Sequence, residues 1–172
     1  MICLRLENNV ENAQEISTGA KTQDASKAAP APIIYAVVLL VGVLLSLAFP
    51  VSFLPRLVTW VAGVACVLLP FMLGFAALGA MRRAKTSVNP YRPTTAILTE
   101  GPYHLTRNPM YLAMTIQYVG LALLFNALWA IALLPLALVV VHFTVIKREE
   151  RYLEQKFGEQ YLRYKARVRR WI

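Results

Sequence analysis

Polar and apolar positions fall in long blocks along this chain. Residues 1–32 are polar and mixed in charge, ending in Ala28-Ala29-Pro30-Ala31-Pro32. An apolar run follows from Ile33 to Phe49, then a stretch with two prolines from Pro50 to Arg56, then a second apolar run from Leu57 to Ala80. Residues 81–109 are polar again. The third apolar block, Met110 to Ile146, holds 37 residues, too many for one membrane span of roughly 20 and about right for two short ones. A turn near Asn126 divides it. The pattern predicts an all-α, polytopic integral membrane protein with about four transmembrane helices, over 33–49, 57–80, 110–125 and 127–146. Residues 1–32 are then a flexible cytoplasmic tail without the apolar core of a signal peptide, and 33–172 a single membrane domain. A hairpin over 110–146 returns the chain to the face it left. Tyr111 and Glu149-Glu150 are therefore predicted to meet at one rim of the bilayer.

Beyond Ile146 the pattern changes. Leu153, Phe157, Tyr161, Tyr164 and Val168 share one stripe at helical spacing, with Lys156, Arg163 and Arg167 elsewhere, which predicts a cytoplasmic amphipathic C-terminal helix. At about 100° per residue Glu150 falls on that stripe and Glu149 toward its edge. A carboxylate facing inward among tyrosines needs a partner. Within the spans, Pro70 is placed to kink the second helix, and Gly63, Gly74 and Gly79 to let helices approach closely. Gln117 and His142 are polar groups in apolar runs, suited to bonds between helices or to a polar cavity.

Composition agrees: 58% of the 172 residues are hydrophobic, more than an ordinary soluble domain carries. The formal net charge of +9 does not point to nucleic acid, because the basic residues cluster beside apolar runs, where they report topology and anionic lipid. Residues 81–109 hold five Lys/Arg and 147–172 hold nine, whereas the two other connections hold only Arg56. Both termini and the 81–109 loop are thus predicted to be cytoplasmic, with Trp60 and Trp129 near the opposite interface. Cys3 and Cys66 have no metal-ligand spacing, and neither a disulfide nor a metal site is expected.

The chemistry concentrates at the start of the third span. Asn108-Pro109 is a helix-start pair by type, and with Arg107 beside it the same helix end is an anion site. Tyr103 and Tyr111 flank it, as interface anchors or as walls of a pocket. Glu149-Glu150 read equally as surface charges balancing Lys147 and Arg148.

Taken together, Gly101-Pro102-Tyr103, Arg107-Asn108-Pro109-Met110-Tyr111, a hairpin's length of apolar sequence, Glu149-Glu150, and Phe157-Gly158-Glu159-Gln160-Tyr161 with Tyr164 resemble the isoprenylcysteine carboxyl methyltransferase family. The related membrane phospholipid methyltransferases look similar. The likeness covers about Thr95 to the C-terminus. It implies an integral-membrane methyltransferase that uses S-adenosyl-L-methionine and modifies a lipophilic acceptor, the carboxylate or amine of a lipid-like molecule, at the cytoplasmic face. Carried over by position, it implies one wall of the cofactor pocket from Arg107, Asn108, Pro109, Met110 and Tyr111. A second wall comes from Tyr103 and the strip Thr95, Ala96, Ile97 and Leu98, and Glu149 and Glu150 reach in from the returning helix. Arg107 and Glu150 are the implied catalytic residues, Glu150 as base where the acceptor is an amine.

Two departures stand out. Asn108 replaces the histidine of the eukaryotic enzymes, a variant associated with bacterial members, so a bacterial inner membrane is expected. Val145 and Ile146 stand before Lys147-Arg148, where the eukaryotic enzymes place an arginine for the prenylcysteine carboxylate. The sequence also admits two rival readings. One is a nicotinamide-dependent membrane reductase related to sterol reductases, although the chain has no Gly-x-Gly-x-x-Gly fingerprint. The other is a non-enzymatic protein that binds membrane lipids through its basic tail.

Overall fold

The structure, a computed structural model, describes residues 31–84 and 97–171. Residues 1–30 of the expected N-terminal tail and the strip Thr95-Ala96 lie outside them, and Ala31-Pro32, expected in the tail, open the first helix. Every regular element in the described residues is helical. Helix α1 spans Ala31–Ala48, uncharged throughout, and ends just before Pro50. Helix α2 spans Arg56–Arg83; it starts directly after Pro55, continues through Pro70, and closes with Arg82 and Arg83 in its last turn, where cations complement the helix dipole. A 3₁₀ turn follows at Gly101–His104.

Helix α3 spans Pro109–Leu124, with proline at its first position, where a missing N–H costs nothing. The hairpin turns at Asn126, whose φ of +48° is a left-handed conformation that asparagine tolerates better than most residues. Helix α4 spans Leu128–Val141, a π-helical turn covers His142–Ile146, and α5 spans Lys147–Phe157. These three run on as one helix of 30 residues, Leu128–Phe157. A last helix, α6, spans Glu159–Arg167.

Three helices among the described residues are long and apolar enough to cross a membrane: Ala31–Ala48, Arg56–Arg83 and Leu128–Phe157. The expected third span, α3, has 16 residues, about 24 Å against a hydrocarbon layer of about 30 Å. The tail, expected as one helix, is two. Gly158 has a φ of +50° and ψ of −126°, a conformation open to glycine and costly for other residues, so the helix axis breaks there.

The most extensive helix pairings are α2 with α3 and α1 with α4, whereas α1 and α2, neighbours in sequence, share no comparable interface. Both pairings depend on glycine at the crossing. A Cβ at Gly42 would lie 2.4 Å from the Ala130 Cα, and one at Gly120 would lie 2.8 Å from the backbone of Cys66 and Val67. Gly63 also meets α3, at Leu124, but nothing lies within 4 Å of a Cβ built at Gly74, and only the Arg83 side chain approaches Gly79. Those two are not contact glycines.

Tyrosines supply the polar ties between helices. Tyr118 Oη donates to the Ala130 carbonyl at 2.7 Å, closing the α3–α4 hairpin. Thr115 Oγ1 donates to the Tyr111 carbonyl, so Tyr35 Oη donates to Thr115 Oγ1, at 2.9 Å. Gln117 and His142 make no such bond among the described residues: Gln117 lines an apolar groove between α2 and α3, and His142 packs edge-on against Phe143. Around this core, Leu47, Leu57, Met72 and Phe75 turn outward, as a lipid-facing surface requires.

Gly42→Ala is expected to destabilise the protein by about 1–3 kcal/mol through overpacking at α4. Gly74→Ala is expected to leave it unchanged or slightly more stable. Thermal midpoints of the two purified variants in detergent test the difference, and equal midpoints would contradict the assigned crossing.

Candidate active site at one end of the bundle

The 3₁₀ turn sets the approach to α3. Thr106 N–H bonds back to the Pro102 carbonyl at 3.1 Å, and the Thr106 side chain, 2% exposed, accepts from the Asn108 N–H at 3.2 Å. The chain therefore enters α3 with Arg107 and Asn108 already oriented. Asn108 occupies the N-cap position but makes no side-chain cap bond. Its Nδ2 donates instead to the Arg170 carbonyl, at 3.3 Å. The expected cap is thus replaced by a tie to the far end of the chain.

The opposite wall comes from the helix after the π turn. Buried positions along that helix are Ala130, Ala137, Val141, Ile146 and Glu150, a spacing of five across the π turn where four is usual. In an unbroken α-helix Glu150 would point about 180° from Val141, and the extra residue taken up by the π turn brings it back by about 100°. The phase shift is what turns Glu150 inward. There it is 7% exposed. Arg170 Nε donates to its Oε1 at 2.8 Å and Arg170 Nη2 to its Oε2 at 2.7 Å, a two-point pairing of planar groups.

Arg107 approaches the same carboxylate, with Nη1 3.2 Å from Glu150 Oε1. That contact is one of charge and is not aligned as a hydrogen bond. Arg107 Nε and Nη1 are both buried and have no hydrogen-bond acceptor among the described residues. Two guanidiniums against one carboxylate leave a positive excess, and a buried donor edge without an acceptor is suited to an anionic ligand group.

Glu149, the neighbour of Glu150, is exposed and accepts one bond, from Tyr111 Oη at 2.9 Å. The two motifs at either end of the hairpin thus touch twice, through Tyr111–Glu149 and Arg107–Glu150. Tyr103 is joined to the tail, its carbonyl accepting from Tyr164 Oη at 2.7 Å. Burial, and after it the Glu149 charge, push the Tyr103 hydroxyl up to about 12, and burial raises Tyr161 and Tyr164 as well. At physiological pH these tyrosines are neutral donors.

The structure therefore brings Arg107, Asn108, Tyr111, Glu149 and Glu150 together, with Tyr103 beside them. Pro109 is buried in the helix start. Met110 does not join the cluster's polar contacts; it lines the open groove with Pro70, Phe71, Phe75, Met114 and Gln117, a space of about 230 Å³. Ile97 and Leu98 are half-buried ahead of the 3₁₀ turn. Arg170 was absent from the residues expected from sequence. Along one straight helix it would lie about 200° around from Glu150; the break at Gly158 and the end of α6 at Arg167 bring it back.

Residues 58–160 match the model of the phospholipid methyltransferase family. A Haemophilus influenzae protein of uncharacterized role is 44% identical over 64 residues, 37% of this chain and 100% of that protein. The cobalt-zinc-cadmium resistance protein CzcN of Cupriavidus metallidurans is 34% identical over 68 residues, 40% of this chain and 32% of its own. Protein-S-isoprenylcysteine O-methyltransferase B of Arabidopsis thaliana is 43% identical over 75 residues, 42% of this chain and 36% of its own. The match therefore spans about a third of each of the last two relatives. No solved structure matches the chain.

Glu150→Gln leaves two guanidiniums facing a neutral amide and is expected to cost about 3 kcal/mol. Glu149→Gln should leave stability unchanged. A thermal midpoint for Glu150→Gln no lower than that of Glu149→Gln would remove Glu150 from its place as the buried anchor.

Proposed function

The chain belongs to the phospholipid methyltransferase family, and from that premise we propose that it transfers a methyl group from S-adenosylmethionine to a lipophilic acceptor at the cytoplasmic face of a membrane. The family and the isoprenylcysteine methyltransferase relative point to a membrane methyltransferase. One observation carries the finer reading: the unsatisfied guanidinium edge of Arg107 lies where the hairpin's two motifs meet. The amino-acid end of S-adenosylmethionine carries a carboxylate and an ammonium, and its sulfonium is a further cation. The residues fit these groups. Arg107 offers donors for the carboxylate. Glu149, whose Oε2 accepts from Tyr111 Oη, offers its other oxygen to a cation, and the faces of Tyr103 and Tyr111 suit the sulfonium. Asn108, Pro109 and Met110, with Thr95, Ala96, Ile97 and Leu98, are assigned to the remaining walls on the family likeness.

When bound, the cofactor supplies a methyl group already activated for displacement. The protein's part is to hold the acceptor in line with it and to exclude water. A carboxylate acceptor needs no base, whereas an amine must lose a proton first. Glu150, held by two arginines, is poorly placed to take that proton. Glu149, held among the described residues by Tyr111 Oη alone, is the better base. The open groove beside Met110 supports lateral approach of an apolar acceptor from the lipid.

The short helix α3 is one arm of the α3–α4 hairpin, which supports four helices crossing the bilayer; the charge distribution supports both termini on the cytoplasmic side, and Asn108 in the family motif supports a bacterial inner membrane. The methyltransferase domain starts with helix α1 at Ala31, two residues before the expected boundary, and its last two helices, α5 and α6, lie at the cytoplasmic surface. The family match does not favour a nicotinamide-dependent reductase.

The test is calorimetric binding of S-adenosylmethionine to the detergent-purified protein. Wild type is expected to bind, with Tyr111→Phe and Glu149→Gln each weaker by about tenfold, the loss of one charge-assisted bond. A folded wild type that shows no binding at millimolar cofactor would sink this function and favour a lipid-binding role.

A further inference from the structure

We propose that Arg170 is a positioning residue for the cofactor pocket, acting through Glu150 to keep the Arg107 guanidinium free for the cofactor carboxylate; this rests on the methyltransferase reading above. Three observations converge on residues 169 and 170. Its guanidinium occupies both oxygens of Glu150. Its carbonyl accepts from Thr106 Oγ1 at 2.9 Å and from Asn108 Nδ2 at 3.3 Å. The adjoining Arg169 carbonyl accepts from the Arg107 N–H at 3.0 Å. Residues 169–170 thus bind the start of α3 through the backbone and the start of α5 through a side chain.

The consequence falls on Arg107. Glu150 is the nearest anion to it, and a carboxylate with open lone pairs would draw the Arg107 guanidinium into a two-point pair of its own. Arg170 already takes one lone pair on each oxygen, the edge that a two-point pair requires. Arg107 Nε and Nη1 are left buried and without an acceptor, which is costly unless a ligand completes them. Glu150 and Arg170 together form a neutral, satisfied pair, and the net charge left for the ligand is that of Arg107. Trp171 packs against the hydrophobic core, which anchors the segment from the other side. The arrangement makes a specific demand on ligand selectivity. Loss of Arg170 should weaken ligands that carry the amino-acid carboxylate and spare those that lack it.

The experiment compares S-adenosylhomocysteine, which has the carboxylate, with methylthioadenosine, which does not, by calorimetric titration of the full-length protein in detergent. Wild type is expected to prefer S-adenosylhomocysteine. In Arg170→Gln that ligand should weaken by about tenfold while methylthioadenosine stays within about twofold, one charge-assisted contact being removed. Arg170→Lys keeps the charge but reaches a single carboxylate oxygen, so a several-fold loss confined to S-adenosylhomocysteine is expected.

Equal losses for both ligands would mean a structural role only, and no loss in either variant would mean no role; each overturns the proposal. If Arg170→Gln does not fold, the lysine variant decides by the same criterion. A wild type that binds neither ligand overturns the methyltransferase reading and this inference with it, an outcome distinct from a wild type that binds and variants that do not discriminate.

Discussion

A carboxylate taken out of water persists only when opposite charge and hydrogen bonds come with it, and at Glu150 that requirement organises one whole end of the molecule. Its partners come from two places far apart in sequence, Arg107 before α3 and Arg170 after α6. Each piece of local structure can be understood by what it does for this meeting. The turn at Asn126 returns the chain to the correct end. The π turn rotates the returning helix so that the acid faces the bundle. The break at Gly158 lets the tail fold back, and the Thr106 hydroxyl holds the entry to α3 in register with it. Remove the charge and these features have no common purpose.

Two glutamates side by side therefore live in different worlds. Glu150 is enclosed and doubly paired, while Glu149 meets no cation among the described residues and accepts from a phenol. Identical side chains on adjacent residues acquire separate roles because a helix turns about 100° between them and the bundle covers one direction only. The same geometry explains why neither glutamate alone resembles a catalytic acid in isolation. Their difference is a property of the surroundings.

Much of this was legible in sequence, and the reasons for the misses are physical. Blocks of apolar residues announce helices in a membrane because no other open structure satisfies the backbone there, and the spacing of Tyr111 and Glu149 follows from the length of a hairpin. Glu150 was expected to face inward from the stripe Leu153, Phe157, Tyr161, and it does. That stripe fixes phase only within the tail, however; its phase relative to the span depends on the π turn at His142–Ile146, which carries no mark in sequence. Gly158 was visible, but a stripe continuing through it hid the break. Arg170 was one cation among nine in the tail, and only the backbone path distinguishes it. Asn108 was read as a helix cap by residue type, and its amide went to a carbonyl 62 positions away. Contacts of that range are invisible to local propensity.

The pairing order of the helices bears on how the protein is made. Helices α1 and α2 emerge first and find little in each other, because the partner of α2 is α3 and that of α1 is α4. Until the hairpin is synthesised, the glycine faces at Gly42 and Gly63 must lie against lipid or against the insertion machinery. Assembly then closes from the middle outward, α3 onto α2 and α4 onto α1, and the buried acid obtains its second arginine only when residue 170 has left the ribosome. A nascent chain can therefore be fully inserted while its buried acid still waits for the second of its two arginines.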